Sequence, residues 1–103
     1  MNGKPVIRRA VADNDIDDAI RYYDNHSIQT AFGFIDELQR SYQRISAQPP
    51  IGSPRHGYEL ALPGLLSRKL DKYPYIVFYY DHNDHIDVWR ILHEKRDIPS
   101  NLD

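Results

Sequence analysis

The amino-acid sequence predicts an α+β fold of the order β-αα-β(3–4), in which a helical hairpin packs on one face of a twisted antiparallel sheet. Two apolar stripes with helical spacing follow each other almost without a gap, a short apolar segment precedes them, and the second half of the chain is dense in β-forming residues. At 103 residues the chain has room for one hydrophobic core, so we expect residues 1–103 to form a single domain.

The N-terminal part of the chain predicts one strand and a first helix. Residues 4–9 (KPVIRR) are typical of a short strand, with Pro5 tolerated near its start. Asp13 is a candidate N-cap for a helix over residues 14–25, and the further aspartates that follow it suit the positive end of the helix dipole.

A second, longer helix is predicted directly after the first. Ser27 is its candidate N-cap, and Pro49-Pro50 ends it near Gln48. Its apolar positions advance by fours and threes along one stripe: Ile28, Phe32, Ile35, Leu38, Tyr42 and Ile45. Because so few residues separate the two helices, they must fold back on each other as an αα-hairpin.

The C-terminal half predicts the sheet. Residues 49–57 (PPIGSPRHG) form a loop by their Pro and Gly content. Four apolar segments follow and predict three or four antiparallel strands, at residues 58–62, 65–70, 75–81 and 85–93. Since the helices cover one face of this sheet, we expect the opposite face to stay open and to carry the function.

Composition and charge exclude several classes of protein. The chain has no cysteine, which rules out disulfides and thiolate metal sites, and its net charge is −2. A protein that binds DNA or RNA phosphates usually concentrates basic charge, and this one does not. The sequence lacks an apolar signal-peptide core and any apolar run approaching about 20 residues, so we expect a cytoplasmic protein that makes no membrane contact.

Two histidines flank the predicted hairpin tip. His82 and His85 have aspartates nearby, so a weak metal site is conceivable. A flexible tip does not preorganise three ligands, and we therefore favour a solvated turn. We expect neither a metal nor an organic cofactor.

The last predicted strand carries an unexpected arginine. Strict alternation places Ile86, Val88, Arg90 and Leu92 on one face, and Asp87, Trp89, Ile91 and His93 on the other. Arg90 interrupts an apolar row and therefore needs an acidic partner, a rim position or an anionic ligand. Asp71 and Glu59 are the candidate partners. For Lys95, Arg96 and Asp97 we expect a solvated segment with a local Arg-Asp pair.

The run KYPYIVFYYDHNDHIDVWRILHEKRDIPSNL, residues 72–102, carries a specific pattern of aromatic, apolar and charged positions. It resembles the ParE branch of the RelE/ParE toxins of bacterial type II toxin-antitoxin systems. The N-terminal segments DIDDAIRYY, FGFIDELQ and ELALPGLLSRKL are similar to that family as well, so the resemblance extends from Pro5 to Leu102.

The resemblance implies a toxin held inactive by a cognate antitoxin. Such antitoxins carry a DNA-binding N-terminal domain and a disordered C-terminal tail that folds onto the toxin. ParE-like members inhibit DNA gyrase by protein-protein contact, and this is our leading hypothesis. The protein would then contact nucleic acid only indirectly, through the antitoxin or gyrase. The residues expected to recognise a partner or target are Lys69, Trp89, Arg90, His93 and Arg96.

RelE-like members provide the alternative, a metal-independent endoribonuclease that cuts mRNA on the ribosome. In that case Arg68, Lys69 and Arg90 would bind the scissile phosphate and His93 would act as general acid or base. Relatives commonly carry an arginine where this chain has Leu66, which weakens the nuclease hypothesis. A third possibility is a homologue that only regulates transcription while bound to its antitoxin.

Overall fold

The computed structural model describes residues 3–95. Its helices and strands are, in chain order, β1 (Val6–Arg8), α1 (Ala10–Asp24), α2 (Ile28–Ala47), a short 3-10 helix (Pro49–Ile51), α3 (Arg55–Glu59), β2 (Leu65–Lys69), β3 (Tyr75–Asp81) and β4 (Ile86–His93). This order confirms the predicted α+β class. Within the described residues no helix is long and apolar enough to cross a bilayer.

The sheet is mixed and not wholly antiparallel. Its strand order is β1-β4-β3-β2. The last three strands are antiparallel, as predicted, but β1 runs parallel to β4. The long connection between β1 and the rest of the sheet, which contains both helices, allows this parallel pairing.

The helical hairpin forms largely as the sequence predicts. The hydroxyl of Ser27 accepts a hydrogen bond from the Thr30 N–H at 3.3 Å, and α2 ends with Gln48 as its C-cap. The start of α1 differs, since Arg9 and not Asp13 occupies the N-cap position. Asp13 instead accepts a hydrogen bond from Arg8 at 2.6 Å, because the helix begins immediately after β1.

The main core lies between the helices and one face of the sheet. Its fully buried side chains include Phe34 from α2, Val77 and Tyr79 from β3, and Ile86 and Val88 from β4. The opposite face is less open than predicted. There a second cluster of Leu65, Phe78 and Leu92 is partly covered by Leu60 and Leu62.

The side chains that cover this second face belong to residues 58–62, which the sequence predicts to be a strand. Residues 58–62 lie in α3 and the turn after it, so that assignment is wrong. Gly57 explains the close packing, because a Cβ there would stand only 2.8 Å from the Leu65 carbonyl oxygen. The predicted loop 49–57 likewise contains a 3-10 helix and the start of α3.

An aromatic cluster joins the helical hairpin to β3. The ring of Tyr23 lies 5.2 Å from Tyr73 and 5.5 Å from Phe34, and Phe34 lies 5.3 Å from Tyr75. The Tyr73 hydroxyl donates to the Thr30 carbonyl at 3.1 Å. This cluster fixes the end of the hairpin against the sheet.

The partly buried phenol of Tyr23 should make the protein sensitive to alkali. Burial, with a smaller effect from Tyr75, raises the pKa of Tyr23 to about 12. The unfolded state, with a pKa near 10, loses this proton first, so the free energy of unfolding should fall as the pH rises from about 10 to about 12. Urea titrations across this range should show a shallower fall for Tyr23→Phe. Tyr58→Phe, which alters a phenol 83% exposed, is the matched control. Equal pH slopes for wild type and Tyr23→Phe would contradict the prediction.

Candidate functional site

A β-bulge in β4 sets the direction of the side chains in the C-terminal part of that strand. Tyr79 pairs with Val88, whereas the residue before it, Phe78, pairs with Arg90. Trp89 is therefore an extra residue in β4, opposite no partner of its own. A bulge of this kind bends the strand and redirects the side chains that follow it.

Beyond the bulge the two faces of β4 are exchanged. Ile91 joins the helix-facing core, while Leu92 belongs to the cluster on the opposite face together with Trp89. The assignment from strict alternation is therefore wrong for Ile91, for Leu92 and for His93, whose ring lies against Tyr75 of the helix-facing core. One extra residue is enough to cause the error, because side chains in a strand alternate with period two.

Arg90 is held by a carboxylate of α1. Its Nε donates to Asp15 Oδ2 at 2.8 Å and its Nη2 donates to Asp15 Oδ1 at 2.9 Å. The same carboxylate accepts the Ile91 N–H at 3.0 Å. The side chains of Arg90 and Asp15 are only 16% and 11% exposed. The hydrogen bond to Asp15 also raises the pKa of Arg90.

The predicted ion pair of Arg90 therefore exists, but the predicted partners were wrong. Asp71 instead binds Arg44 at 2.8 Å, and Glu59 lies 3.6 Å from Arg55 within α3. The bond from Arg44, with smaller contributions from Arg68 and Lys72, lowers the pKa of Asp71.

The short first strand explains why Asp15 becomes the partner. β1 pairs only with Ile86, Asp87 and Val88, so it does not reach the second half of β4. The Arg9 N–H still bonds to the Val88 carbonyl at 3.0 Å, and α1 begins at the next residue. The first turns of α1 thus run beside the part of β4 that β1 leaves unpaired, and Asp15 accepts a backbone N–H there.

His93 lies at the end of β4 beside Tyr75. Their ring centroids are 5.3 Å apart in an edge-to-face arrangement, and His93 Nδ1 accepts the Lys95 N–H at 3.1 Å. That bond places the proton of a neutral ring on Nε2. With Asp15, Asp18 and other residues, His93 lines a cavity of about 210 Å³.

Arg68 and Lys69 point to opposite faces of β2. Arg68 shares the helix-facing side with Leu66, while Lys69 lies on the other side, 3.7 Å from Glu94. β3 separates β2 from β4, so the backbone of Arg68 is about 10 Å from that of Ile91 at the spacing of neighbouring strands. The structure therefore does not bring Arg68, Lys69, Arg90 and His93 together around one point.

A cluster on the open face surrounds Trp89. We call Arg9, Tyr80, His82, Asp87 and Trp89 the open-face cluster. The Arg9 guanidinium lies 5.7 Å from the Trp89 ring centroid and 5.9 Å from that of Tyr80. It also donates to both carboxylate oxygens of Asp87, at 3.0 and 2.7 Å, and this bond lowers the pKa of Asp87.

The two histidines of the hairpin tip each have a carboxylate neighbour. His85 Nδ1 lies 2.7 Å from Asp84, and His82 Nε2 lies 3.5 Å from Asp87. Their rings are 4.8 Å apart. Among residues 3–95 no group of three or more His, Asp or Glu side chains could hold a metal ion.

Sequence reasoning missed several members of this surface. Arg9 and Asp87 are 78 positions apart, and no local pattern connects them. In the sequence, nothing distinguishes Asp15 from the other aspartates near the start of the first helix. Of the predicted recognition residues, Arg96 lies outside the described part of the chain, as does Asp97.

Comparisons with known proteins give one family and one fold. The family described as "ParE toxin of type II toxin-antitoxin system, parDE" matches residues 6–98. A solved structure titled "Chromosomal ParDE TA system from P. aeruginosa" superimposes with a TM-score of 0.74 at 15% identity. The match covers 87% of this chain and 95% of that one, and shows a shared fold. No curated protein sequence matches the chain.

Proposed function

The chain belongs to the ParE toxin family of type II toxin-antitoxin systems, and from this premise we propose that it blocks replication by binding DNA gyrase. The contact would be between proteins and would use the open-face cluster and the adjoining end of the sheet. Trp89, Lys69, Arg90 and His93 are the proposed recognition residues in the described chain. The proposal places the protein in the cytoplasm, where gyrase acts.

The pairing of the basic side chains supports this choice over a nuclease. Arg90 is bound to Asp15, Arg9 to Asp87, and Lys69 lies near Glu94. A site that stabilises a reacting phosphate needs cationic groups that converge on it and are available to it. Carboxylates beside these cations would repel such a phosphate, and the net charge of −2 adds to this repulsion.

The antitoxin is the second partner. A ParE toxin acts in a pair with an antitoxin, and we propose that this antitoxin has a DNA-binding N-terminal domain and a C-terminal tail that folds onto the toxin. A tail of this type wraps a large surface and orders on binding.

Supercoiling and DNA-cleavage assays with purified gyrase test the proposal. A translation reaction with intact ribosomes and a reporter mRNA is run in parallel. We expect stabilised DNA breaks or lost supercoiling, with the mRNA left intact. Cut mRNA with normal supercoiling would overturn the proposal and favour the ribonuclease alternative, with Arg68, Arg90 and His93 as its site.

Trp89 should be an energetic centre of the gyrase contact. Large aromatic side chains in the middle of an interface commonly contribute 2 kcal/mol or more, so we expect Trp89→Ala to raise the concentration needed for half-inhibition by about tenfold or more. Tyr58→Ala, which truncates an aromatic residue that is 83% exposed on α3, is the matched control and should leave inhibition unchanged. Thermal melts of both variants verify that they are folded. Full inhibition by a folded Trp89→Ala protein would remove Trp89 from the recognition surface.

A further inference from the structure

Helix α3 carries an exposed aromatic side chain beside an apolar cavity. Tyr58 is 83% exposed, compared with 60% for Ile28 and 58% for Phe32. The cavity that Tyr58 lines measures about 350 Å³ and is formed by α3, the turn after it and the start of β2. Its other lining side chains are mostly apolar and include Pro54, Ala61, Leu62, Pro63 and Leu66. We call Tyr58 and this cavity the α3 patch.

The backbone around α3 fixes the shape of this patch. Gly57 faces the sheet, where a Cβ would stand 2.8 Å from the Leu65 carbonyl oxygen, so the neighbouring Tyr58 side chain is directed away from the sheet. Ala61 has a φ of 54°, in the left-handed region, and this turns the chain back at the end of α3. The Leu62 N–H then donates to the Gly57 carbonyl at 2.8 Å. Because backbone geometry forms the cavity, little ordering is needed when a side chain enters it.

Opposite charges flank Tyr58 on the exposed side of α3. Arg55 and Glu59 lie one helical turn apart, and their side chains are 73% and 56% exposed. The distance between Arg55 Nε and Glu59 Oε2 is 3.6 Å, and an exposed pair of this kind contributes little to stability. Both side chains are therefore available to charges on another molecule. A helix that packs antiparallel to α3 needs a negative group opposite Arg55 and a positive group opposite Glu59.

A second copy of α3 meets this requirement. When two copies of the helix are placed antiparallel, Arg55 of each copy lies opposite Glu59 of the other. The α3 patch also contains both a projecting ring and a cavity, so it is complementary to itself, as a two-fold interface requires. We propose that the α3 patch joins two copies of this chain about a two-fold axis, with Tyr58 of each copy in the cavity of the other.

The size of the patch determines how stable this dimer is. α3 has five residues, and the patch adds only the segments beside it. Interfaces that bury less than about 1,200 Å² in total are typical of weak complexes, so we expect a dissociation constant on the order of 10–100 μM. Within residues 3–95 the cavity is lined by no member of the open-face cluster, so the dimer does not depend on the gyrase proposal.

Sedimentation velocity of the full chain over a concentration series tests the dimer. Wild type should shift from monomer to dimer between about 5 and about 500 μM. Tyr58→Ser should raise the dissociation constant by about tenfold or more, because it removes the aromatic ring from the centre of the interface. Tyr22→Ser, at a tyrosine that is 55% exposed on α1, is the matched control and should stay within about twofold of wild type.

Charge reversal tests the antiparallel arrangement. Arg55→Glu and Glu59→Arg each place like charges opposite one another in a dimer, so each variant alone should associate about tenfold more weakly than wild type. An equimolar mixture of the two variants restores opposite charges at both positions of a mixed dimer, so its affinity should recover to within about twofold of wild type. Damage to α3 by either substitution could not produce this recovery.

Three results would overturn the inference. Wild type that stays monomeric at about 500 μM would show that the patch does not self-associate. A dimer that survives Tyr58→Ser with unchanged affinity would use another surface. A mixture of the two charge variants that associates no better than either variant alone would exclude the antiparallel arrangement.

Discussion

Replacing Asp15 by alanine is expected to lower the free energy of unfolding by about 3 kcal/mol. The substitution removes the carboxylate that accepts three hydrogen bonds, two from the guanidinium of Arg90 and one from the Ile91 N–H. The side chains of Asp15 and Arg90 are largely buried, at 11% and 16% exposed. Water therefore cannot fully replace the hydrogen bonds that the substitution removes. Urea unfolding followed by circular dichroism measures the change.

Two further variants separate the charge from the hydrogen bonds. Asp15→Asn keeps an oxygen that can accept the Ile91 N–H but loses the negative charge, so its destabilisation should be intermediate. Asp18→Ala, whose carboxylate is 66% exposed on the same helix, should change stability by less than about 0.5 kcal/mol. A loss of less than about 1 kcal/mol for Asp15→Ala would show that the Asp15-Arg90 contact does not hold α1 against β4.

Replacing Gly52 by alanine should destabilise the fold by about 3 kcal/mol. A Cβ at this position would overlap the hydroxyl of Tyr79 and stand 2.9 Å from its Cζ. Tyr79 is fully buried, and its hydroxyl accepts the Gly52 N–H at 3.0 Å while donating to the Pro49 carbonyl. Because the buried ring is fixed by these two hydrogen bonds, the added methyl group should overpack the core and distort both of them.

A double mutant tests whether the contact with Tyr79 causes the destabilisation by Gly52→Ala. Tyr79→Phe alone should cost about 1 to 2 kcal/mol, because it leaves the Pro49 carbonyl without its donor. In Gly52→Ala/Tyr79→Phe the closest contact no longer exists, so the combined loss should be smaller than the sum of the two single losses. Strict additivity would indicate that the alanine acts through the backbone and not through Tyr79.

The Asp15-Arg90 contact also affects how toxicity experiments on Arg90 are interpreted. Substituting Arg90 disturbs the contact between β4 and α1, so lost toxicity could follow from lost stability alone. His93 is a better position for separating the gyrase and ribonuclease hypotheses, because its described contacts are the Tyr75 ring and the Lys95 N–H. Weaker gyrase inhibition by a folded His93→Gln protein, with mRNA left intact by wild type, would support a recognition role for His93. Unchanged inhibition would remove His93 from the recognition surface.

Local sequence signals determined the elements that depend mainly on neighbouring residues. Ser27 predicts the start of α2, because its hydroxyl bonds three residues along the chain, and Pro49-Pro50 predicts the end of α2, because proline cannot continue a helix. The dense run of aromatic and β-branched residues predicts β3. The same run carries most of the family pattern.

Only the tertiary structure decided the features that join distant parts of the chain. The partner of Arg90 is 75 positions away, and the bulge at Trp89 arises from pairing with β3. The helical state of residues 55–59 depends on packing against β2. Hydrophobic period and capping act over a few residues, whereas ion-pair choice, strand register and surface shape depend on contacts made across the fold.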